Sequence, residues 1–448
     1  MKIEARDMAL KILMEINVEG AYSNISLKNN LKGNMGKLDE NFVREIVYGV
    51  LENKLYLDYI IGNFSKTKLS KIEPIILEIL RIGVYQIRFL DKIPDRAAVN
   101  ESVKLAKKHS NPGSVKFVNG ILRNICRKKE SLIDIDEKNK TDYLSIKYSH
   151  PKWLVKRWIR EFGDDFTERL CIENNKRPKL NIRANSYKIT RDDLKSRLEA
   201  NGIILSETQY SSDGLILDKP YRITNTEEYK DGLFTIQDES SMLVAQIMNP
   251  KQGSFVLDLC SAPGGKTTHI SEKMSNNGRI LARDIYDHKL KLVEENSQRL
   301  GSTIIETEVF DASILDEKLI ESADYVLIDA PCTGLGMIRR RPEIKWNRME
   351  SDIENISIIQ SKILENGSKY LKPGGVLVYS TCTIEKDENL NIITDFLERN
   401  ESYNFCGFDE LLNSDKGMKT AKYGYIEIYP HVHNMDGFFI AKLMKKNR

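Results

Sequence analysis

Residues 256–270, VLDLCSAPGGKTTHI, constrain the fold more than any other part of this 448-residue chain. A short apolar run ends in Asp258, passes a small-residue turn with adjacent glycines at 264 and 265, and opens a helix at Lys266. Glycine lets the backbone bend sharply and come close to a ligand. The helix start behind it offers unpaired N–H groups to that ligand's polar end. A bare Gly-Gly would read as an ordinary β–α turn. The full string from Asp258 to Thr267 is far more specific.

Beyond residue 253, strand and helix alternate. Strands expected at 255–259, 279–284, 303–309, 325–329 and 375–380 are separated by helical segments from Lys266, from Asp287, over about 352–371, and from Glu385. This order predicts an α/β domain with a mostly parallel, doubly wound sheet. Ligands of such sheets bind beyond the carboxyl ends of the strands. Asp284, Asp311 and Asp329 all fall there. A carboxylate about twenty residues past a Gly-rich turn suits both ribose hydroxyls of an adenosine. Asp311 is placed to accept from an adenine amino group. Either residue alone would read as a strand-end cap, but together they outline a nucleoside pocket.

Composition sets the wider frame. Apolar residues make up 41% and charged residues 30%, a globular balance that fits two to three domains. The richest apolar stretch, 74–90, carries Glu78, Arg81 and Arg88, so no membrane span is expected. The charged start reads as a helix and not as a signal peptide. The six cysteines, at 126, 171, 260, 332, 382 and 406, form no CxxC pair. That speaks against a zinc site, any other metal centre or a disulfide scaffold, and for a reducing cytoplasm. Net charge is only +3, yet residues 1–150 hold 26 basic against 19 acidic side chains, a local +7. Residues 104–129 contain Lys104, Lys107, Lys108, Lys116, Arg123, Arg127, Lys128 and Lys129 and no acid. Such a run is most often a solvated face; it can equally bind phosphates.

The first 130 residues read as helices, with one apolar stripe at Ala9, Ile12, Leu13 and Ile16. A longer one runs through Phe42, Ile46, Val47, Val50, Leu51, Leu55 and Tyr59, and Asp39 is placed to cap it. A polar linker follows at 128–141. Then come Trp153 and Trp158 at helical spacing, a strand at 180–184, a helix at about 191–200 and short strands to 234. Lys179 and Arg183 in this part are candidates for RNA contact. Three parts result: 1–135, 142–235 and 236–448.

Two cysteines stand at adjacent strand ends, Cys332 in DAPCTGLGMIRRRPEIKW and Cys382 in YSTCTIEKDEN. A lone cysteine in an apolar segment is usually a small core residue, which is the expectation for Cys126, Cys171 and Cys406. Cys332 and Cys382 sit beside Pro, Thr and Gly, where a thiol is reachable. The residues alone do not say which of them would attack a substrate.

These motifs resemble those of the RNA cytosine-5 methyltransferases of the NOL1/NOP2/Sun family. In that resemblance the turn is motif I, which holds S-adenosylmethionine (SAM) through Cys260, Ser261, Ala262, Pro263, Gly264, Gly265 and Lys266. Asp284, Asp311 and Asp329 match further SAM contacts. The Cys332 segment looks like motif IV and the Cys382 segment like motif VI. The resemblance assigns Cys382 as nucleophile and Cys332 as the thiol that assists release, with Asp329 on the base's N3/N4 edge. The closing segment 429–445 matches the family's last strand and leaves His431 structural or at the pocket rim. The segments IPDRAAVNESVKLAK and VKFVNGILRNI, with Asn119, Arg123 and Asn124, resemble a NusB-like helical RNA-binding domain. By analogy with Sun-type enzymes the implied partner is small-subunit (16S) ribosomal RNA, free or in an early assembly particle, bound by a monomer. The same chemistry on tRNA or large-subunit rRNA is the nearest alternative, and a non-catalytic RNA-binding assembly factor is the alternative of another class. Both cysteines, Asp329 and the intact Gly-rich turn speak against the latter. Ser261 in place of Ala, and Arg283 before Asp284, are mild departures.

Overall fold

The computed structural model describes residues 4–31, 35–129, 135–218, 222–414 and 416–447. Part of the expected linker, residues 130–134, lies outside these, as does the extreme N-terminus. The chain forms two units: residues 1–176 together with 338–348, and residues 177–337 together with 349–448.

The first unit is helical. Helices Ala5–Asn17, Lys37–Glu52, Lys54–Phe64, Asp95–His109 and Pro112–Arg127 surround Pro74–Phe89. That helix is apolar nearly all round, from Ile76 to Ile87, as a central helix must be. Its Arg81 is buried in ion pairs with Asp58 (2.7 Å) and Glu78 (2.5 Å). The stripe at Ala9, Ile12, Leu13 and Ile16 is buried as expected. The longer apolar segment breaks in two at Asn53, whose side-chain amide donates to the Gly49 carbonyl at 2.9 Å. Asp39 does not cap: the helix begins at Lys37, and Asp39 lies in its first turn, where a carboxylate favours the helix dipole.

The basic run is partly neutralised. Lys104 pairs with Glu101, Lys108 and His109 with Asp7, and Lys129 with Asp95. Lys116, Arg123, Asn124 and Arg127 stay exposed along helix Pro112–Arg127, and its Val118, Ile121, Leu122 and Ile125 are buried. Gly120 lies among them, and a Cβ there would meet nothing within 4 Å.

Helices Ser23–Leu31, Lys140–Lys147, Lys152–Phe162 and Asp164–Asn174 also belong to this unit. Residues 338–348, expected from sequence to continue the Cys332 motif, are packed here as well. Trp346 Nε1 donates to the Leu51 carbonyl (2.8 Å). Lys345 Nζ donates to the Glu52 carbonyl (3.0 Å) and Asn175 Oδ1 (3.2 Å).

The second unit opens with a four-stranded antiparallel sheet. Strands β1 (Leu180–Ala184), β2 (Leu205–Glu207), β3 (Gly214–Leu217) and β4 (Phe234–Ile236) lie in the order β2-β3-β1-β4. Helix Arg191–Ala200, capped by Thr190, packs Leu194 and Leu198 on it.

The main sheet has eight strands: β5 (Phe255–Asp258), β6 (Arg279–Asp284), β7 (Ile305–Val309), β8 (Ala323–Asp329), β9 (Leu371–Thr381), β10 (Tyr403–Phe405), β11 (Tyr425–Ile428) and β12 (Phe438–Lys445). Their order is β10-β12-β9-β8-β5-β6-β7, with β11 also on β12. The five strands β5 to β9 are parallel, and β12 runs antiparallel to β9, so the doubly wound core carries an antiparallel edge. Alternate residues face opposite layers. Leu281, Leu257, Val326, Leu377 and Leu443 are in register across five strands and all join one core. Val256, Ile280, Leu327 and Val378 point into the other. One boundary differs from expectation. After Cys382 comes a 3-10 turn at Lys386–Glu388, and the α-helix starts only at Leu390, where Asn389 has left helical geometry.

Candidate active site

The motif carboxylates and cysteines of the second unit collect at the carboxyl ends of β5, β6, β7, β8 and β9. Asp258 ends β5 and Asp284 ends β6; Asp329 ends β8. Gly264 has φ +94°, and a Cβ there would stand 3.0 Å from the Val293 Cα, so the turn requires glycine. Gly265 has ordinary room. Asp284 shapes the loop, its Oδ2 accepting from Ala262 N (3.3 Å) and its Oδ1 from Tyr286 N (3.1 Å).

A cavity of about 250 Å³ opens beside the turn. Cys260, Ala262, Asp284, Asp311 and Asp329 line it, with apolar Ile285, Ile359 and Ile363 among the other walls. Burial, then Asp258, Asp329, Asp284 and Asp311, push the Cys260 thiol well above its usual range. This field suits a cationic ligand. Burial also lifts the Asp258 carboxyl to about 7. Its Oδ2 accepts from Thr267, whereas its Oδ1 and the Ser261 hydroxyl oxygen are buried without a protein partner. Buried polar atoms of this kind need partners. The site therefore fits a molecule with a nucleoside, a positive centre and a polar tail, as SAM has.

Lys266 points across the site, its Nζ 2.6 Å from Asp329 Oδ2 and over the Phe438 ring. Burial alone would lower this ammonium, but Asp329 outweighs it and raises it. Asp329 Oδ1 accepts from Ser380 Oγ at 2.8 Å. Next to this carboxylate stand the cysteines, Cys332 three residues past β8 and Cys382 one past β9. Both are half-buried thiols outside any disulfide, with sulfurs 3.3 Å apart. The hydrogen bond with Cys382, followed by burial, raises the Cys332 pKa well above the ordinary thiol value, which keeps its proton on.

Glycine contacts hold the loops together. Gly336 N donates to the Cys382 carbonyl (3.0 Å), and Gly437 N donates to the Gly336 carbonyl (2.9 Å). A Cβ on Gly336 would sit 2.0 Å from the Gly437 oxygen. Thus Gly437, just before β12, helps seat the cysteine loops. Of the lone cysteines, Cys171 is buried, Cys126 packs against the helical core, and Cys406 is only half-buried past edge strand β10, so it is not a core residue.

Arg183, a sequence candidate for RNA contact, is turned inward instead. It is fully buried, with its guanidinium on Glu272 (2.5 and 3.0 Å), Gln237, Thr268 and the Gly265 carbonyl (2.7 Å). It fastens the helix of the Gly-rich turn to β1. Arg283 is likewise buried, paired with Glu308 and Asp316 and stacked on Phe310 next to Asp311. Glu388, which no local sequence signal marks, lies beneath both cysteine loops.

Sheet, cavity and thiol pair together define a SAM-dependent methyltransferase. Residues 245–444 match 16S rRNA methyltransferase RsmB/F, residues 3–127 the NusB family, and residues 150–224 the ferredoxin-like domain of RsmF/B-like methyltransferases. A probable ribosomal RNA small subunit methyltransferase B of Bacillus subtilis (strain 168) is 38% identical over 447 residues, 99% of each chain. The crystal structure of PH0851 has a TM-score of 0.82 at 27% identity and covers 99% of this chain and 100% of its own. That of NSun6 from Pyrococcus horikoshii with SFG, a SAM analogue, has a TM-score of 0.58 at 26% identity over 66% of this chain and 99% of its own. The chain belongs to the RsmB/F family of methyltransferases, in agreement with the resemblance read from its motifs.

Proposed function

We propose that this enzyme methylates carbon 5 of a cytosine in small-subunit (16S) ribosomal RNA through a covalent bond between Cys382 and carbon 6. The observation that carries this reading is the thiol pair, 3.3 Å apart, with Cys332 directly after Pro331 of the carboxylate-lined cavity wall. The small-subunit substrate rests on relatives such as that of Bacillus subtilis, whose name gives that activity.

Carbon 5 of cytosine is a poor nucleophile. Addition of the Cys382 thiolate at C6 makes the ring an enamine and C5 reactive, splitting one hard step into easier ones. SAM, when bound, supplies the methyl group that C5 takes. Asp329 stabilises the protonated base at its N3/N4 edge while Lys266 and Ser380 hold the carboxylate in place. Loss of the C5 proton and departure of Cys382 restore the ring, and Cys332, which keeps its proton, is the thiol beside the leaving sulfur. The base must leave its stack to be reached. On the cofactor side, Asp284 holds the ribose hydroxyls and Asp311 the adenine amino group, and the turn from Cys260 to Lys266 cradles the remainder. The exposed basic face of helix Pro112–Arg127 meets RNA phosphates.

The direct test uses labelled SAM with 16S rRNA. Cys382→Ala should transfer no methyl group yet bind SAM nearly as wild type does. Bisulfite sequencing of rRNA from cells lacking the protein should show one cytosine unmodified. Normal turnover by Cys382→Ala, or loss of activity only in Cys332→Ala, would reverse the assignment.

A further inference from the structure

Strand pairing alone does not bring the two sulfurs together. The β8–β9 register ends at Asp329 opposite Ser380, before either cysteine. The loops beyond are therefore held by contacts outside the ladder, one of them Gly336 N to the Cys382 carbonyl. Glu388, fully buried in the 3-10 turn after Cys382, touches both loops. Its Oε1 accepts from Thr333 Oγ1 (2.5 Å) and Thr383 Oγ1 (3.2 Å). Its Oε2 accepts from Thr333 N (2.8 Å) and Gln360 Nε2 (3.3 Å). Thr333 follows Cys332 and Thr383 follows Cys382, and their hydroxyls are 3.1 Å from each other. Gln360 Nε2 donates in addition to the Pro331 carbonyl (2.8 Å), so the residues on either side of Cys332 are held. The Glu388 backbone is fixed in turn, its carbonyl accepting from Tyr379 OH at 2.8 Å. A carboxylate has about four acceptor positions, and here four donors fill them.

We propose that Glu388 is a positioning residue: its carboxylate clamps the Cys332 loop to the Cys382 loop and sets the spacing of the thiol pair. Glu388 touches no reacting atom in this arrangement. The consequence for catalysis rests on the covalent reading of the function, whereas the consequence for sulfur geometry does not.

The test separates the two. Diamide oxidises two neighbouring thiols to a disulfide, taking up both electrons and both protons as its azo bond becomes a hydrazine. The rate of Cys332–Cys382 cross-linking, followed by mass spectrometry in the full-length enzyme without RNA, therefore reports their spacing. Glu388→Ala should cross-link roughly tenfold more slowly than wild type, as expected when aligned groups are released, and should retain SAM affinity. Glu388→Gln, which keeps the length and can still bridge the threonine hydroxyls, should recover much of the rate. If Glu388→Ala fails to bind SAM because it does not fold, Thr383→Val, which removes the Cys382-side hydroxyl from the clamp, carries the same expectation. Cross-linking at the wild-type rate in the folded variant would overturn the proposal whatever its methylation activity. A dead Cys332→Ala with a live Cys382→Ala would overturn the covalent assignment and leave the clamp standing.

Discussion

The sulfurs of Cys332 and Cys382, fifty positions apart in the chain, stand 3.3 Å from each other at the ends of neighbouring parallel strands. One thiol can donate to the other at that distance. On the proposed reading, Cys332 is the sulfur that keeps its proton and Cys382 the one that attacks. A thiol in water titrates near 8.5 and needs such help to react at neutral pH.

The proposed SAM site predicts that binding depends on Asp284 and Asp311, which line the cavity. Removing Asp284 or Asp311 strands polar groups of the adenosine, which typically costs about 1–3 kcal/mol each. Calorimetry on Asp284→Ala and Asp311→Ala should show that loss. Unchanged affinity in both would remove them from the pocket.

RNA affinity is expected from Lys116, Arg123 and Arg127. The triple alanine variant should bind its rRNA fragment more weakly, and its log–log salt slope should flatten by roughly 0.7–0.9 for each phosphate no longer neutralised. SAM affinity should not change. An unaltered salt slope would return this helix face to plain solvation.

Lys345 links stability to pH. Burial holds its ammonium down at about 7, with Glu52 and Cys171 opposing weakly. The folded value lies below the ordinary 10.5, so the folded state binds fewer protons between these limits. Stability is then greatest above the higher value and falls as pH drops toward 7, by about 1.4 kcal/mol per unit at most. All three tryptophans, Trp153, Trp158 and Trp346, lie in the same unit and report its unfolding. Denaturation of Lys345→Met at pH 9 and pH 7 should show a smaller difference than wild type. Equal differences would contradict the buried cation.

The inner strands β5, β8 and β9 are legible in the sequence because they are largely buried on both faces and read as apolar runs. The motif carboxylates and cysteines are legible because they fall at strand ends. Partnerships across long separations are not. Arg183 looks like any basic strand residue until Glu272, eighty-nine positions on, neutralises it. Glu388 lies in plain view six residues past Cys382, yet the donors that give it a role sit on Thr333 and Gln360. Lys345 and Trp346 follow the Cys332 segment but belong to the helical unit, and no local periodicity signals that.

Trapping the covalent intermediate tests the central claim most directly. With RNA and SAM, Cys332→Ala should complete addition and methyl transfer but stall before release. The product should be a slow band that survives denaturing electrophoresis and disappears on nuclease treatment. The double variant lacking Cys382 as well should form none. Free turnover of Cys332→Ala without trapped RNA, or an adduct that persists without Cys382, would contradict the account.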